Sequence, residues 1–330
     1  MSSAPVSPAP APRSRVGPSD LLSLVYLGAV WGGAFLFFRV ASPEVGPVWT
    51  AEIRIALGGL LIALFLGPRR ILALRPHVRK LVIVGATFSA IPFTLLAWST
   101  LTLASSLASL LMATTPLFTA IVGAIWLRNR LSPRVVAGLV LGFAAVALLL
   151  GGATSAIGPG TFLAFGASLL AAFSYAIAGT YVRRSTGEIA PLDLAAGQLL
   201  AGATVLLPVA ILSGPPRMPQ LDGAVSLGLI ALVSTALAWP LFFRVSGRTN
   251  ATTASTATFI VPLFGILWGG MILGEPIAPQ LLVSFAIVIV SMVLVLPVPL
   301  GSLASRAASR AAGARAAVRH GAFRTAGSDA

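Results

Sequence analysis

The chain falls into ten apolar blocks of about twenty residues, each bounded by glycine, proline or charge. They run at roughly 21–41, 48–67, 81–101, 103–126, 135–151, 161–182, 191–213, 222–243, 252–273 and 278–297. Twenty residues at about 1.5 Å of helical rise cover the ~30 Å of a bilayer's hydrocarbon. In that medium backbone N–H and C=O groups must be satisfied within the protein, which leaves helices or a closed barrel. Barrel strands would be half as long and would alternate apolar with polar residues. These blocks are apolar on all faces, so an all-α integral membrane protein with ten transmembrane helices is expected. Composition agrees: 9% of the residues are charged, where a soluble globular chain has about a quarter.

Charge gives the orientation. With the N-terminus in the cytoplasm, the inner side receives Arg13, Arg15, Arg69, Arg70, Arg75, Arg79, Lys80, Arg128, Arg130, Arg134, Arg183, Arg184, Arg244, Arg248 and five arginines of the C-terminal tail. The outer side receives Arg39 and Arg217. Nineteen against two is a strong positive-inside bias. It predicts an even number of spans with both termini inside the cytoplasmic (inner) membrane. The formal charge of +14 points to anionic lipid headgroups, because the arginines flank apolar runs; no nucleic-acid partner is expected. Residues 1–20 are Pro/Ala/Ser-rich and are expected to be a disordered cytoplasmic tail; residues 302–330 read as a basic cytoplasmic tail.

Two stretches nearly repeat each other: "TTPLFTAIVGAIWLRNRLSP" at 114–133 and "IVPLFGILWGGMILGEPIAP" at 260–279. Pro116-Leu117-Phe118 falls on Pro262-Leu263-Phe264, an offset of 146. Upstream, "LLAW" (95–98) meets "ALAW" (236–239), Arg54 meets Gln198 and Trp31 meets Tyr175, with offsets between 141 and 146. The chain thus divides into two five-span repeats, 21–151 and 161–297. An odd number of spans per repeat makes the second copy enter the membrane from the opposite side. The repeats are then inverted, a plan typical of secondary transporters with a substrate site between the halves. Inversion also accounts for the charge swap: "RNR" ends span 4 inside, whereas "GE" ends span 9 outside.

The stretches "VWGGAFLFFRVA", "RIALGGLLIAL", "SSLASLLMATTPLFTAIVGAIWL" and "TFIVPLFGILWGGMILGE", with the twofold repeat, resemble the drug/metabolite transporter superfamily, specifically its EamA-type ten-span permeases. The resemblance covers about residues 21–297 and implies a carrier that exports amino acids, metabolites or toxic small molecules. One departure is that Arg128-Asn129 stand where that family often carries a second Gly-Glu.

Other chemistries find little support. The only lysine, Lys80, sits in "RKLVI", so there is no P-loop; two isolated histidines exclude HExxH; and the eight acids are scattered singly. Without cysteine, thiolate sites and nucleophiles are excluded, and neither metal nor cofactor is expected. The expected function is secondary-active transport of a small molecule by alternating access. A channel-like or passive uniporter and a lipid or lipid-linked-sugar flippase remain open, as does a homodimer.

The candidate residues follow from depth and type. Glu52 and Arg54 are ionisable groups about 6–9 Å into span 2, a rare and usually functional placement. Glu52 is the first candidate for a coupled proton. Arg54 resembles the family's span-2 arginine and either takes a substrate carboxylate or braces helices. Trp31, Trp98, Tyr175 and Trp239 are candidate cavity walls, with Thr115 and Thr258 as polar contacts; Pro116 and Pro262 are candidate hinges. The cavity is expected among spans 1, 3, 4, 6, 8 and 9. Gly28-x3-Gly32 is one of several pairs that let helices approach closely.

Overall fold

The computed structural model describes residues 18–128, 130–152, 158–248 and 251–295; the tails at 1–17 and 302–330, and Asn129, lie outside the described residues. All regular structure among the described residues is helical. Eight helices are long and apolar enough to cross a membrane, and two shorter apolar ones, Phe259–Leu273 and Pro279–Val295, complete the ten.

Span 1 is Pro18–Val45 and span 2 Pro47–Leu66. Span 3 runs from Val78–Gly85 through a π-helical turn, Ala86–Ala90, to Ile91–Ser99. Span 4 is in two pieces, Ser105–Met112 and Thr115–Leu127. Spans 5, 6 and 7 are Pro133–Gly152, Pro159–Ser185 and Pro191–Leu212. Span 8 runs from Leu221–Ala231 through a second π-helical turn, Leu232–Leu237, to Ala238–Arg248. Spans 9 and 10 are Ala251–Leu273 and Pro279–Val295. Proline opens spans 2, 6 and 7, where its missing N–H costs nothing.

The main interhelical contacts are retained when spans 1–5 are exchanged with spans 6–10. Span 1 packs on span 9 and span 6 on span 4; span 1 packs on span 8 and span 6 on span 3; span 2 packs on span 8 and span 7 on span 3. The pairs 2–7, 4–9 and 5–10 map onto themselves. Individual polar contacts exchange as well. Arg54 Nε donates to Thr235 Oγ1 at 3.1 Å, and Ser89 Oγ donates to Gln198 Oε1 at 2.7 Å. Trp49 Nε1 donates to the Gly214 carbonyl at 2.7 Å, while Arg70 pairs with Asp193 at 2.5 Å. Glu44 accepts the Gln220 N–H at 2.8 Å at the start of span 8, while Glu188 pairs with Lys80 and, at 3.5 Å, His77 at the start of span 3. The hydrogen bond from Lys80 holds the Glu188 carboxyl below its ordinary value of 4.5.

These pairs correct one register. Ser89 corresponds to Thr235 and the two π-turns correspond to each other, an offset of 146. The "LLAW"/"ALAW" match is therefore displaced by five residues, and Trp239 corresponds to Phe93 instead of Trp98. Both stretches are rich in Leu and Ala, which carry little register information. The register is set by where the span bulges against spans 2 and 7.

With no water to expel between helices, association in lipid depends on close packing, and small residues permit it. A Cβ added at Gly32 would lie 2.7 Å from the Val261 carbonyl and 2.8 Å from the Gly265 nitrogen. One added at Gly85 would fall onto the Gln198 carbonyl and the Gly202 backbone. Gly166, in span 6, has nothing within 4 Å of that position. Gly85→Ala should therefore lower stability by about 1–3 kcal/mol through overpacking of spans 3 and 7. Gly166→Ala should be neutral, or stabilise by up to about 1 kcal/mol through helix propensity. Unfolding in detergent and denaturant checks both, and equal effects would remove the close-approach argument.

Candidate functional site

A cavity of about 270 Å³ lies between the two halves. Span 1 supplies Trp31, Ala34, Phe35 and Phe38; span 2 supplies Arg54; span 3 supplies Phe88, Phe93 and Leu96. Span 4 contributes Ser109, Met112 and Ala113, span 6 Tyr175, span 8 Trp239 and Phe242, and span 9 Val261 and Pro262. These are the six spans expected from the sequence, with span 2 in addition.

Helix irregularity aims several of these groups inward. The π-turn of span 3 carries Phe88, and its Thr87 carbonyl accepts Ser174 Oγ of span 6 at 2.7 Å. The π-turn of span 8 has its Ser234 carbonyl taken by Trp31 Nε1 at 3.2 Å, and Ser234 Oγ donates to the Val30 carbonyl at 3.1 Å. Trp31 is thereby fixed by its polar edge, leaving its rings against Trp239 and Phe242 at centroid distances of 6.1 and 5.4 Å. Tyr175 packs edge-on against Phe88 at 5.1 Å and near Phe93 at 6.3 Å. The wall is a continuous aromatic contact set drawn from both halves.

Among the described residues Arg54 is the one charged side chain in the lining, and it is 4% exposed. Its guanidinium carbon lies 3.8 Å from the Phe93 ring centroid and 5.0 Å from that of Phe38, a desolvated cation–π arrangement. The Thr235 hydroxyl that accepts its Nε donates in turn to the Ile230 carbonyl at 2.9 Å. Arg54 thus braces spans 2, 3 and 8 and also presents charge to the cavity.

The remaining sequence candidates are placed differently. Trp98 is 38% exposed and does not line the cavity; the register correction above is the reason. Thr115 Oγ1 donates to the Met112 carbonyl at 2.7 Å, next to the interruption of span 4, and does not line the cavity. The side chain of Thr258 lies outside the described residues. Glu52 is buried outside the lining, and its Oε2 has no hydrogen-bond partner among the described residues. Pro262 stands inside an unbroken span 9, whereas Pro116 stands in the first turn of the second piece of span 4. That span is interrupted at Ala113-Thr114, in the turn before Pro116, where a proline's missing N–H and its ring disrupt the preceding helix.

Sequence reasoning missed the five phenylalanines, because phenylalanine is ordinary anywhere in a membrane helix. It also missed the work of Glu275. That carboxylate accepts the backbone N–H groups of Ser105 (2.6 Å) and Ser106 (3.0 Å) and both of their hydroxyls, at 3.0 and 2.8 Å. It caps the start of span 4 from the end of span 9, where a helix N-terminus favours negative charge.

The model of the EamA-like transporter family matches the chain twice, over residues 19–151 and 161–296. A Bacillus subtilis protein named uncharacterized transporter YvbV is 28% identical over 291 residues, which cover 86% of this chain and 92% of that one. The Escherichia coli protein named uncharacterized inner membrane transporter YedA is 23% identical, covering 83% and 89%. A protein of Streptantibioticus cattleyicolor described as a probable terminal-alkyne amino-acid exporter is 24% identical, covering 83% and 92%. One solved structure, titled only as the crystal structure of a protein, superposes with a TM-score of 0.61 at 17% identity, covering 84% of this chain and 96% of that one, a likeness of fold alone. With both halves matched by the family model, the chain belongs to the EamA-like transporter family.

Proposed function

We propose that the protein is a secondary-active carrier that exports a small molecule across the cytoplasmic membrane by alternating access. The observation that carries this reading is the aromatic cavity, which receives groups from both halves of an exchangeable packing plan and encloses about 270 Å³. A site between two repeats can be opened to either side by moving one repeat against the other. The exchangeable contacts support inverted repeats at about 21–151 and 161–297. Kinship with a described amino-acid exporter supports export of a small metabolite. Pro262 and the interruption of span 4 at Ala113-Thr114 both border the cavity and are the places where spans 4 and 9 would flex.

Trp31→Ala and Tyr175→Ala should abolish efflux of the transported compound while membrane abundance stays unchanged. Export assays on cells with matched protein levels check this, and normal transport by both variants would sink the cavity as the substrate site.

Glu52 is the group assigned to coupling, as a carboxyl held away from solvent with one oxygen unpartnered. Glu52→Gln should flatten the dependence of uptake on an imposed pH gradient in proteoliposomes. A dependence equal to that of the native protein takes Glu52 out of the mechanism.

The orientation follows from the arginine bias and places both termini in the cytoplasm. Because the chain contains no cysteine, single cysteines can be introduced directly. In intact cells an impermeant maleimide should label Arg217→Cys and leave Arg75→Cys unlabelled. The reverse pattern would invert the topology.

A further inference from the structure

Resting on the reading of the cavity as the substrate site, we propose that its ligand is a small monocarboxylate anion with an apolar or single-ring body, its carboxylate held by the terminal nitrogens of Arg54.

The guanidinium is accounted for on three sides. Phe93 covers a face at 3.8 Å, Phe38 stands at 5.0 Å, and Nε is committed to Thr235. The two terminal nitrogens make no hydrogen bond among the described residues, and no carboxylate among those residues lies within 4 Å of the group. The side chain is 4% exposed and lines the cavity. A guanidinium buried without a counter-ion carries an uncompensated desolvation cost. The ligand that offsets this cost most directly is an anion shaped for the planar fork, and a carboxylate accepts two parallel N–H bonds from it.

The rest of the lining narrows the class. Among the described residues no aspartate or glutamate faces the cavity, so an ammonium group would find no acidic partner there and would be repelled by Arg54. The aromatic walls could otherwise have held a cation over their ring faces; the charge of Arg54 turns that preference over. Among the described residues no second basic side chain lines the space, so a dicarboxylate or a phosphate dianion would remain half-neutralised there. The volume of about 270 Å³ sits at the small end of ligand pockets and suits one ring or a short chain. Trp31, Phe88, Tyr175 and Trp239 would cover that body.

The test is equilibrium binding of radiolabelled phenylacetate to the purified full-length protein, with phenylacetamide and phenethylamine as isosteric competitors. The proposal expects saturable binding, with phenylacetamide at least about tenfold weaker than unlabelled phenylacetate and phenethylamine weaker still. This comparison needs no variant. Arg54→Gln should lose at least about tenfold in affinity and Arg54→Lys should restore part of it, because a lysine returns charge without the fork. Absence of phenylacetate binding, or competition by the amide or amine equal to that of the acid, overturns the anion class. The cavity reading itself fails on a different outcome: phenylacetate binding that is unchanged in Trp31→Ala and Tyr175→Ala.

Discussion

A backbone N–H or C=O left unpaired in hydrocarbon costs several kcal/mol, and the interior of this protein is arranged around the few places where its helices stop obeying the regular pattern. Spans 3 and 8 each swell into a π-turn, span 4 is interrupted at Ala113-Thr114, and span 9 carries Pro262. In spans 3, 8 and 4 another group takes over. Ser174 reaches the Thr87 carbonyl, Trp31 reaches the Ser234 carbonyl, and the hydroxyls of Thr114 and Thr115 return to the carbonyls of Leu111 and Met112. Phe88, Met112, Ala113 and Pro262, which belong to these interruptions, all line the cavity. Irregular backbone at membrane depth persists only where protein buries it or where it lines a cavity. The site and the broken helices therefore have one cause.

The same constraint explains why equivalent joints carry different chemistry in the two halves. At one joint the contact is neutral, Trp49 to the Gly214 carbonyl; its counterpart is the ion pair of Arg70 with Asp193. At another, Glu44 takes a backbone N–H, while Glu188 takes Lys80 and His77. Charge is concentrated at the end where the sequence places its arginines. The bias even overrides backbone preference. Gly274 ends span 9 at φ 65°, and Arg128, at the equivalent end of span 4, holds φ 52°. A left-handed conformation costs a non-glycine residue roughly 1–2 kcal/mol.

The span count and the duplication were legible because both rest on long, strongly patterned signals: blocks of twenty apolar residues and a Pro-Leu-Phe segment written twice. Register inside a span was less legible. "LLAW" and "ALAW" match by composition, but the three-dimensional equivalence follows Ser89 and Thr235, whose π-turns share only Ala90 with Ala236. Trp98 was misplaced for that reason. Pro116 was expected to bend span 4 because proline disrupts the turn before it, and the span is interrupted there, at Ala113-Thr114. Of the deep candidates, Trp31, Arg54, Tyr175 and Trp239 reach one cavity because polar edges and charge are rare enough in apolar spans to stand out. The phenylalanines that complete the wall had no such contrast.

The difference between Arg54 and Gln198 is where the two copies part company. Both are buried in the middle of the bundle, and each is tied to the hydroxyl of the π-turn that packs against its span. Gln198 forms a neutral pair with Ser89 and does not reach the cavity. Arg54 spends one donor on Thr235 and keeps its charge at the cavity wall. A symmetric duplicate with two glutamines would have an aromatic site without polarity; two arginines would place two uncompensated charges around one small space, with a doubled desolvation cost. One arginine and one glutamine leave a scaffold that exchanges its main interhelical contacts around a cavity with a single charged end among the described residues. A ligand bound there has a direction, and the two halves meet different parts of it.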